Sequence, residues 1–162
     1  MLAGVLQASA TTAVADATSE ELRNWFGDPF FQVSSFVQGC PVPRGPLLTK
    51  GEMEREAHGR VERGTRCYLE GRCTKSNSYL YDQGIAADLR QALHSHPALK
   101  GTSIWITVQR RWVWLHGCVE SEAKKHILEA IVRRTPDVER VIVELGGKSR
   151  PPYALEYIRK PS

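Results

Sequence analysis

His116 and Cys118 stand two residues apart in a stretch that alternates apolar and polar positions. On a strand their side chains point the same way, the arrangement a thiol–imidazole pair would need for nucleophilic chemistry. No third group that would orient the imidazole accompanies them, so a structural cysteine is the favoured reading. His94 and His96 straddle a helix end before Pro97 and offer a metal no fixed geometry, while His58 and His126 fall on polar or edge positions of helices. No H-E-x-x-H, P-loop or G-x-S-x-G pattern occurs. These residues assign no catalytic group, no metal and no cofactor, and the expectation is a protein that is not an enzyme.

The four cysteines, Cys40, Cys67, Cys73 and Cys118, are an even number that fits two disulfides in an oxidising compartment. Cys67 and Cys73 enclose a short loop in which Gly71 can supply the bend. Zinc competes poorly, because structural zinc pairs usually leave two to four residues between ligands and no second matching pair is present. Free thiols are the other alternative. Four cysteines allow three pairings; Cys40–Cys118 with Cys67–Cys73 is the one favoured by the strand pattern below.

Arginine and tryptophan carry the remaining chemistry. Ile104, Ile106 and Val108 alternate with Trp105, Thr107 and Gln109; after Arg110 and Arg111, Val113, Leu115 and Val119 alternate with Trp112, Trp114, His116 and Cys118. If the aliphatic set faces helices, three of the four tryptophans share the opposite face with Cys118. A patch of that size either binds something or is covered by another part of the chain. The second explanation puts Phe30, Phe31, Phe36 and the proline-rich run 41–46 over it, with Cys40 bridging to Cys118. In the first, Trp105, Trp112 and Trp114 suit a membrane interface, each ring apolar with an N–H that stays hydrated. Arg110 and Arg111 would meet lipid phosphates, supported by Lys148, Arg150, Arg159 and Lys160 in the tail.

The elements that must position these residues are legible from Asp82 onward. Ile85, Leu89, Ala92 and Leu93 mark an amphipathic helix over 82–95, ended by Pro97. Two strands follow in a hairpin. Ser121 caps a second helix with Ala123, Ile127, Ala130 and Ile131 on one face, and Val138–Leu145 reads as a third strand. The order is αββαβ, an α+β fold with a three-stranded mixed sheet and two helices on one face. Residues 18–80 are an irregular extension containing proline and cysteine, with a short helix expected from Ser19 to Phe26 and a polar helix opened by the Thr49/Glu52 capping box and running to about Arg63. Residues 1–17, small and apolar with two A-x-A patterns, look like a degenerate or truncated signal, and 147–162 form a basic tail.

In 162 residues the net charge is +4, and the excess lies in residues 81–162, with 13 basic against 9 acidic side chains. That permits weak attraction to anionic partners. There is no run of about 18 apolar residues to span a membrane.

The stretch Tyr81–Leu145 resembles the BON domain family. The match rests on Ile85-x3-Leu89-x3-Leu93, His96-Pro97-x-Leu99, the Ile104/Ile106/Val108 strand, Val113-x-Leu115-x-Gly117-x-Val119 before Ser121, and Val138-x2-Val141. Gly117 is taken as a structural turn residue. The family usually carries Gly or Asn-Gly at the hairpin tip, where this chain has Arg110-Arg111, and often has two copies, of which residues 16–80 hold no second. The resemblance implies a periplasmic or otherwise exported bacterial envelope module, attaching weakly to phospholipid headgroups, with a role in stress protection. The alternative is an adaptor for an envelope protein, using the tryptophan face or the extension. An RNA-binding module is remote: a basic α/β unit with strand aromatics could stack bases, but no GxxG loop is present and no nucleic-acid partner is expected.

Overall fold

The computed structural model describes residues 21–156; the signal-like segment 1–17 and the tail residues Arg159 and Lys160 lie outside them. Two helices, α2 (Asp82–Leu93) and α3 (Glu122–Arg133), pack on one face of a sheet built from β2 (Ser103–Gln109), β3 (Trp112–Cys118) and β4 (Arg140–Gly146). Ile85, Leu89 and Leu93 of α2 and Leu128 and Val132 of α3 meet Ile104, Ile106, Val108, Val113, Leu115, Val141 and Leu145, all buried. Each such aliphatic side chain contributes about 1.5–3 kcal/mol on leaving water. The aliphatic period of two along the strands meets the helical period of the helices, and that match defines the core.

The sheet has four strands, not three. Phe30–Ser35 forms β1, antiparallel to β2, in the order β1-β2-β3-β4; β2 and β3 are antiparallel, and β3 and β4 are parallel. The apolar run Phe30–Val37 has the length and composition of a strand, but proline and glycine flank it on both sides and no local partner signals its pairing. Only the free edge of β2 supplies one, through a register that shifts between Gln32 and Ser34. The extension is therefore not irregular. It also holds a 20-residue helix, α1 (Lys50–Leu69), which continues past Arg63 and starts at the Thr49/Glu52 capping box. The expected helix around Ser19–Phe26 does not form within the described residues 21–26, where an isolated pairing of Arg23 with Leu48 and a turn occur instead.

Gly117 lies inside β3, not at a turn. Its φ is +136°, and a Cβ built there would stand 1.9 Å from the Ser103 carbonyl oxygen on the paired strand. The Leu-x-Gly-x-Val pattern records a close approach of two strand backbones.

Two disulfides are present, Cys40–Cys118, spanning 78 residues, and Cys67–Cys73, spanning 6. The first staples the segment after β1 to the outer face of the sheet, opposite the helices.

Gly117→Ala is expected to cost about 3 kcal/mol or more in urea denaturation, because both the backbone and the space forbid the methyl. Gly147→Ala, which meets nothing within 4 Å, is expected to be close to neutral. Replacing Cys40 and Cys118 by alanine removes a closure worth about 4 kcal/mol in the chain-entropy account. Hydrogen exchange should then rise in residues 30–48 before it rises in 82–93 and 103–146; uniform loosening would contradict this order.

Candidate functional site: the arginine-rich end of the sheet

The outer face of the sheet begins with Phe30 and Gln32 on β1, continues through Trp105 and Thr107 on β2 and Trp114, His116 and Cys118 on β3, and ends with Glu144 on β4. Much of it is covered. Pro43 is fully buried, Tyr153 stacks edge-on against His116 with centroids 5.5 Å apart, and residues 42–44 pair with 154–156. Residues 152–156 of the tail thus fold back over the sheet, while Lys148 and Arg150 are exposed. Phe30 lies against Gly45, but Phe31 turns to the helix side beneath Arg90, and Phe36 is 65% exposed.

Trp105 is 9% exposed on this covered face, which removes it from any binding surface. His116 is also buried, and desolvation pulls its pKa down to about 4. Its Nδ1 approaches Glu144 Oε2 to 2.9 Å without hydrogen-bond alignment, and burial raises Glu144. Cys118 is held in its disulfide, so His116 and Cys118 are not a nucleophile pair.

Trp112 and Trp114 remain half-buried and adjacent, with ring centroids 6.0 Å apart. Trp112 carries two guanidinium groups, Arg110 at 3.9 Å and Arg140 at 4.3 Å from its centroid. Cation–π contacts of this kind contribute about 0.5–1 kcal/mol each near a surface, and they fix two cations beside one apolar ring. Among the described residues neither arginine has a carboxylate partner.

Arg111 takes a different course. Its Nε donates to the Asp137 carbonyl oxygen at 2.8 Å and one terminal nitrogen reaches Cys73 Sγ at 2.9 Å, so its side chain ties the hairpin to neighbouring loops and is not free for a phosphate. Both arginines occupy positive φ, +47° and +69°, the sign a type I′ hairpin requires at its two central positions. The missing glycine is compensated from α2. Asp82, 2% exposed, accepts the backbone N–H of Arg110 at 2.7 Å and of Arg111 at 2.8 Å. Burial pushes its pKa up to about 6 against the pull of these two bonds.

Residues of the extension complete this end. The C-terminal part of α1 brings Arg63 and Arg66, the Cys67–Cys73 loop brings Arg72, and the short 3-10 turn Ser78–Tyr81 brings Ser78. With Cys67, Arg110, Trp112 and Glu139 they line a cavity of about 150 Å³. Gly64 lets α1 approach the turn, because a Cβ there would meet the Asn77 side chain at 2.4 Å. A buried bidentate pair, Arg60 to Asp28 at 2.6 and 2.9 Å, anchors the same helix to the sheet, since Asp28 also accepts from Gln109 at 2.6 Å. Arg63, Arg66, Arg72, Arg140 and Ser78 were not among the residues singled out from the sequence. The spacing Arg63-x2-Arg66 on one helix, next to a cysteine-closed loop, was the available signal.

Residues 81–146 match the model of a family described as BON domain. No curated protein and no solved structure matches. Among the described residues no helix is long and apolar enough to cross a membrane.

The raised pKa of Asp82 means that the folded protein holds this proton more tightly than the unfolded chain does. Its stabilising effect is complete below 3.8 and is lost as pH rises through about 6. Asp82→Asn offers the two N–H groups one acceptor oxygen in place of two, so it is expected to be less stable than the wild type at pH 4; because it cannot ionise, it should recover roughly 2–3 kcal/mol relative to the wild type by pH 7. Urea denaturation at the two pH values measures the difference; a constant difference would mean that the two N–H bonds keep the carboxylate ionised throughout.

Proposed function

With residues 81–146 taken as a BON domain, we propose that this chain is a non-enzymatic, exported envelope protein that attaches weakly to phospholipid surfaces through its arginine-rich end. The observation that carries the reading is the pairing of unneutralised cations with apolar contact area: Arg110 and Arg140 on Trp112, beside exposed Tyr68 and Leu69 at the end of α1. Leu69 is 79% exposed, and Leu80, in the turn against which α1 packs, is 58% exposed. A flat interface takes apolar side chains into the headgroup boundary and cations against phosphate, and each basic residue near an anionic surface contributes about 1 kcal/mol. Several such contacts amount to reversible attachment. The two disulfides fit an oxidising compartment such as the periplasm. A stress-protective role is part of the same proposal and rests on the family alone.

The adaptor reading draws on the same exposed residues: Val61, Tyr68 and Leu69 stand at helical spacing on α1, a stripe that would suit a partner helix.

Co-sedimentation with vesicles separates the two. Pelleting should rise with the fraction of anionic lipid and fall with salt. Arg110→Glu with Arg140→Glu should weaken it at least about tenfold. Leu69→Asp should weaken it even at constant lipid charge. Pelleting indifferent to lipid charge, salt and these substitutions would sink the membrane reading and leave the adaptor.

A further inference from the structure

The cavity at the arginine-rich end has the composition of an anion pocket. Arg63, Arg66, Arg72 and Arg110 line it, and Glu139 is the one carboxylate among the lining residues. The other carboxylates nearby stand beside these arginines and orient them: Glu56 pairs with Arg63, and Glu70 with Arg66 and Arg72. A guanidinium has five donors, so Arg63 and Arg66, each with one carboxylate, keep several free, whereas Arg72 engages Glu70 and Glu139 through all three of its nitrogens. The volume, about 150 Å³, has room for one phosphate group.

A second, independent feature points the same way. Ser78 lines the cavity, is 4% exposed, and its hydroxyl has no hydrogen-bond partner among the described residues. A buried hydroxyl left unpaired costs about 1–3 kcal/mol, and a ligand oxygen in this cavity would remove that cost. Trp112 forms one wall and holds Arg110 by its ring face, so that guanidinium is already placed before any ligand arrives.

We propose that this cavity is a binding site for a single phosphate group, its oxygens accepting from the arginine guanidinium groups and from Ser78 Oγ. A phosphomonoester dianion, with three terminal oxygens and greater charge, suits the donor set better than a phosphodiester. The group can come from a lipid headgroup or from a soluble phosphate, so the site does not rest on membrane attachment.

The test is a titration of the full chain with inorganic phosphate, followed by amide and indole NMR shifts, at ionic strength held constant with chloride. Saturable shifts at Ser78, Arg110 and the Trp112 indole are expected, with none from chloride alone. Arg66→Gln and Arg110→Gln should each weaken binding about tenfold or more, and Ser78→Ala several-fold. Arg66 is mostly exposed, so its variant keeps the fold, and circular dichroism checks the others. Arg90→Gln, on the far side over Phe31, should leave phosphate binding unchanged. Unsaturable shifts, shifts matched by chloride, or equal losses in Arg90→Gln would overturn the site. Vesicles identify the source. If Arg66→Gln lowers binding to phosphatidic acid more than to phosphatidylglycerol at equal surface charge, the headgroup enters the pocket; if it alters neither while phosphate still binds the wild type, the ligand is soluble.

Discussion

Both central residues of the β2–β3 turn are arginines at positive φ, and the Asp82 carboxylate is what holds them there. A left-handed conformation costs a side-chain-bearing residue about 1–2 kcal/mol, and two in succession would ordinarily select glycine. A hydrogen bond contributes about 0.5–1.5 kcal/mol net, so the two from Asp82 are of the order of that cost; its charge adds nothing, because burial disfavours the ionised form. The exchange has a consequence beyond the turn. A glycine tip would carry no side chains, whereas this one projects Arg110 onto Trp112 and sends Arg111 to the Asp137 carbonyl and Cys73. One buried carboxylate at the start of α2 thus sets the hairpin, the cation–π stack and the attachment of the Cys67–Cys73 loop.

The same economy governs the outer face of the sheet. Helices cover one face alone, and a sheet with indoles on the other would expose a large apolar surface. The chain covers the central part with segments that are themselves poor in regular structure, residues 40–46 and 152–156, fixed by the Cys40–Cys118 bridge and by the pairing of Pro43 with Leu155. These segments do not reach the hairpin end. Trp105 is therefore buried, while Trp112 and Trp114, nearer the tip, stay half-open. Position along the strand, more than residue type, decides which indole can meet a ligand.

What the sequence disclosed follows from how local each cause is. The period-two strands and the helices over residues 82–145 are written in contiguous patterns, and the strands appear with their faces as read: Ile104, Ile106 and Val108 inward, Trp105 and Trp114 outward. The second helix is turned from the expected face: Leu128 and Val132 are buried, whereas Ala123 and Ile127 are exposed, as is Ala92 on α2. The capping box at Thr49 likewise starts α1 where the pattern places it. β1 was not legible, because its partner, β2, lies about 70 residues later and pairing at that distance leaves no local mark. The true length of α1 was not legible from residue types alone, because Gly64, next to the expected end at Arg63, is a point of close approach to the Asn77 turn. Arg111 and Trp105 were misjudged for one shared reason. Their residue types describe what they could bind, and only tertiary contacts say that they are already occupied.

Charge shows the same limit more sharply. Counted along the chain, the positive excess lies in residues 81–162, and residues 1–80 are neutral overall. In space the balance reverses at the one place where it matters. Three of the four arginines lining the hairpin cavity, Arg63, Arg66 and Arg72, come from the extension, where they also pair with Glu56 and Glu70. The segment that matches the BON family supplies Arg110, Trp112 and Glu139 to the same cavity, together with Arg140 on the tryptophan. Neither part builds the site by itself. The Arg60–Asp28–Gln109 linkage and the Cys67–Cys73 loop hold α1 against the hairpin, so anion recognition at this end depends on the joint between extension and domain. Residues 81–146 by themselves supply Arg110 and Trp112 to the cavity and none of the three arginines that the extension brings.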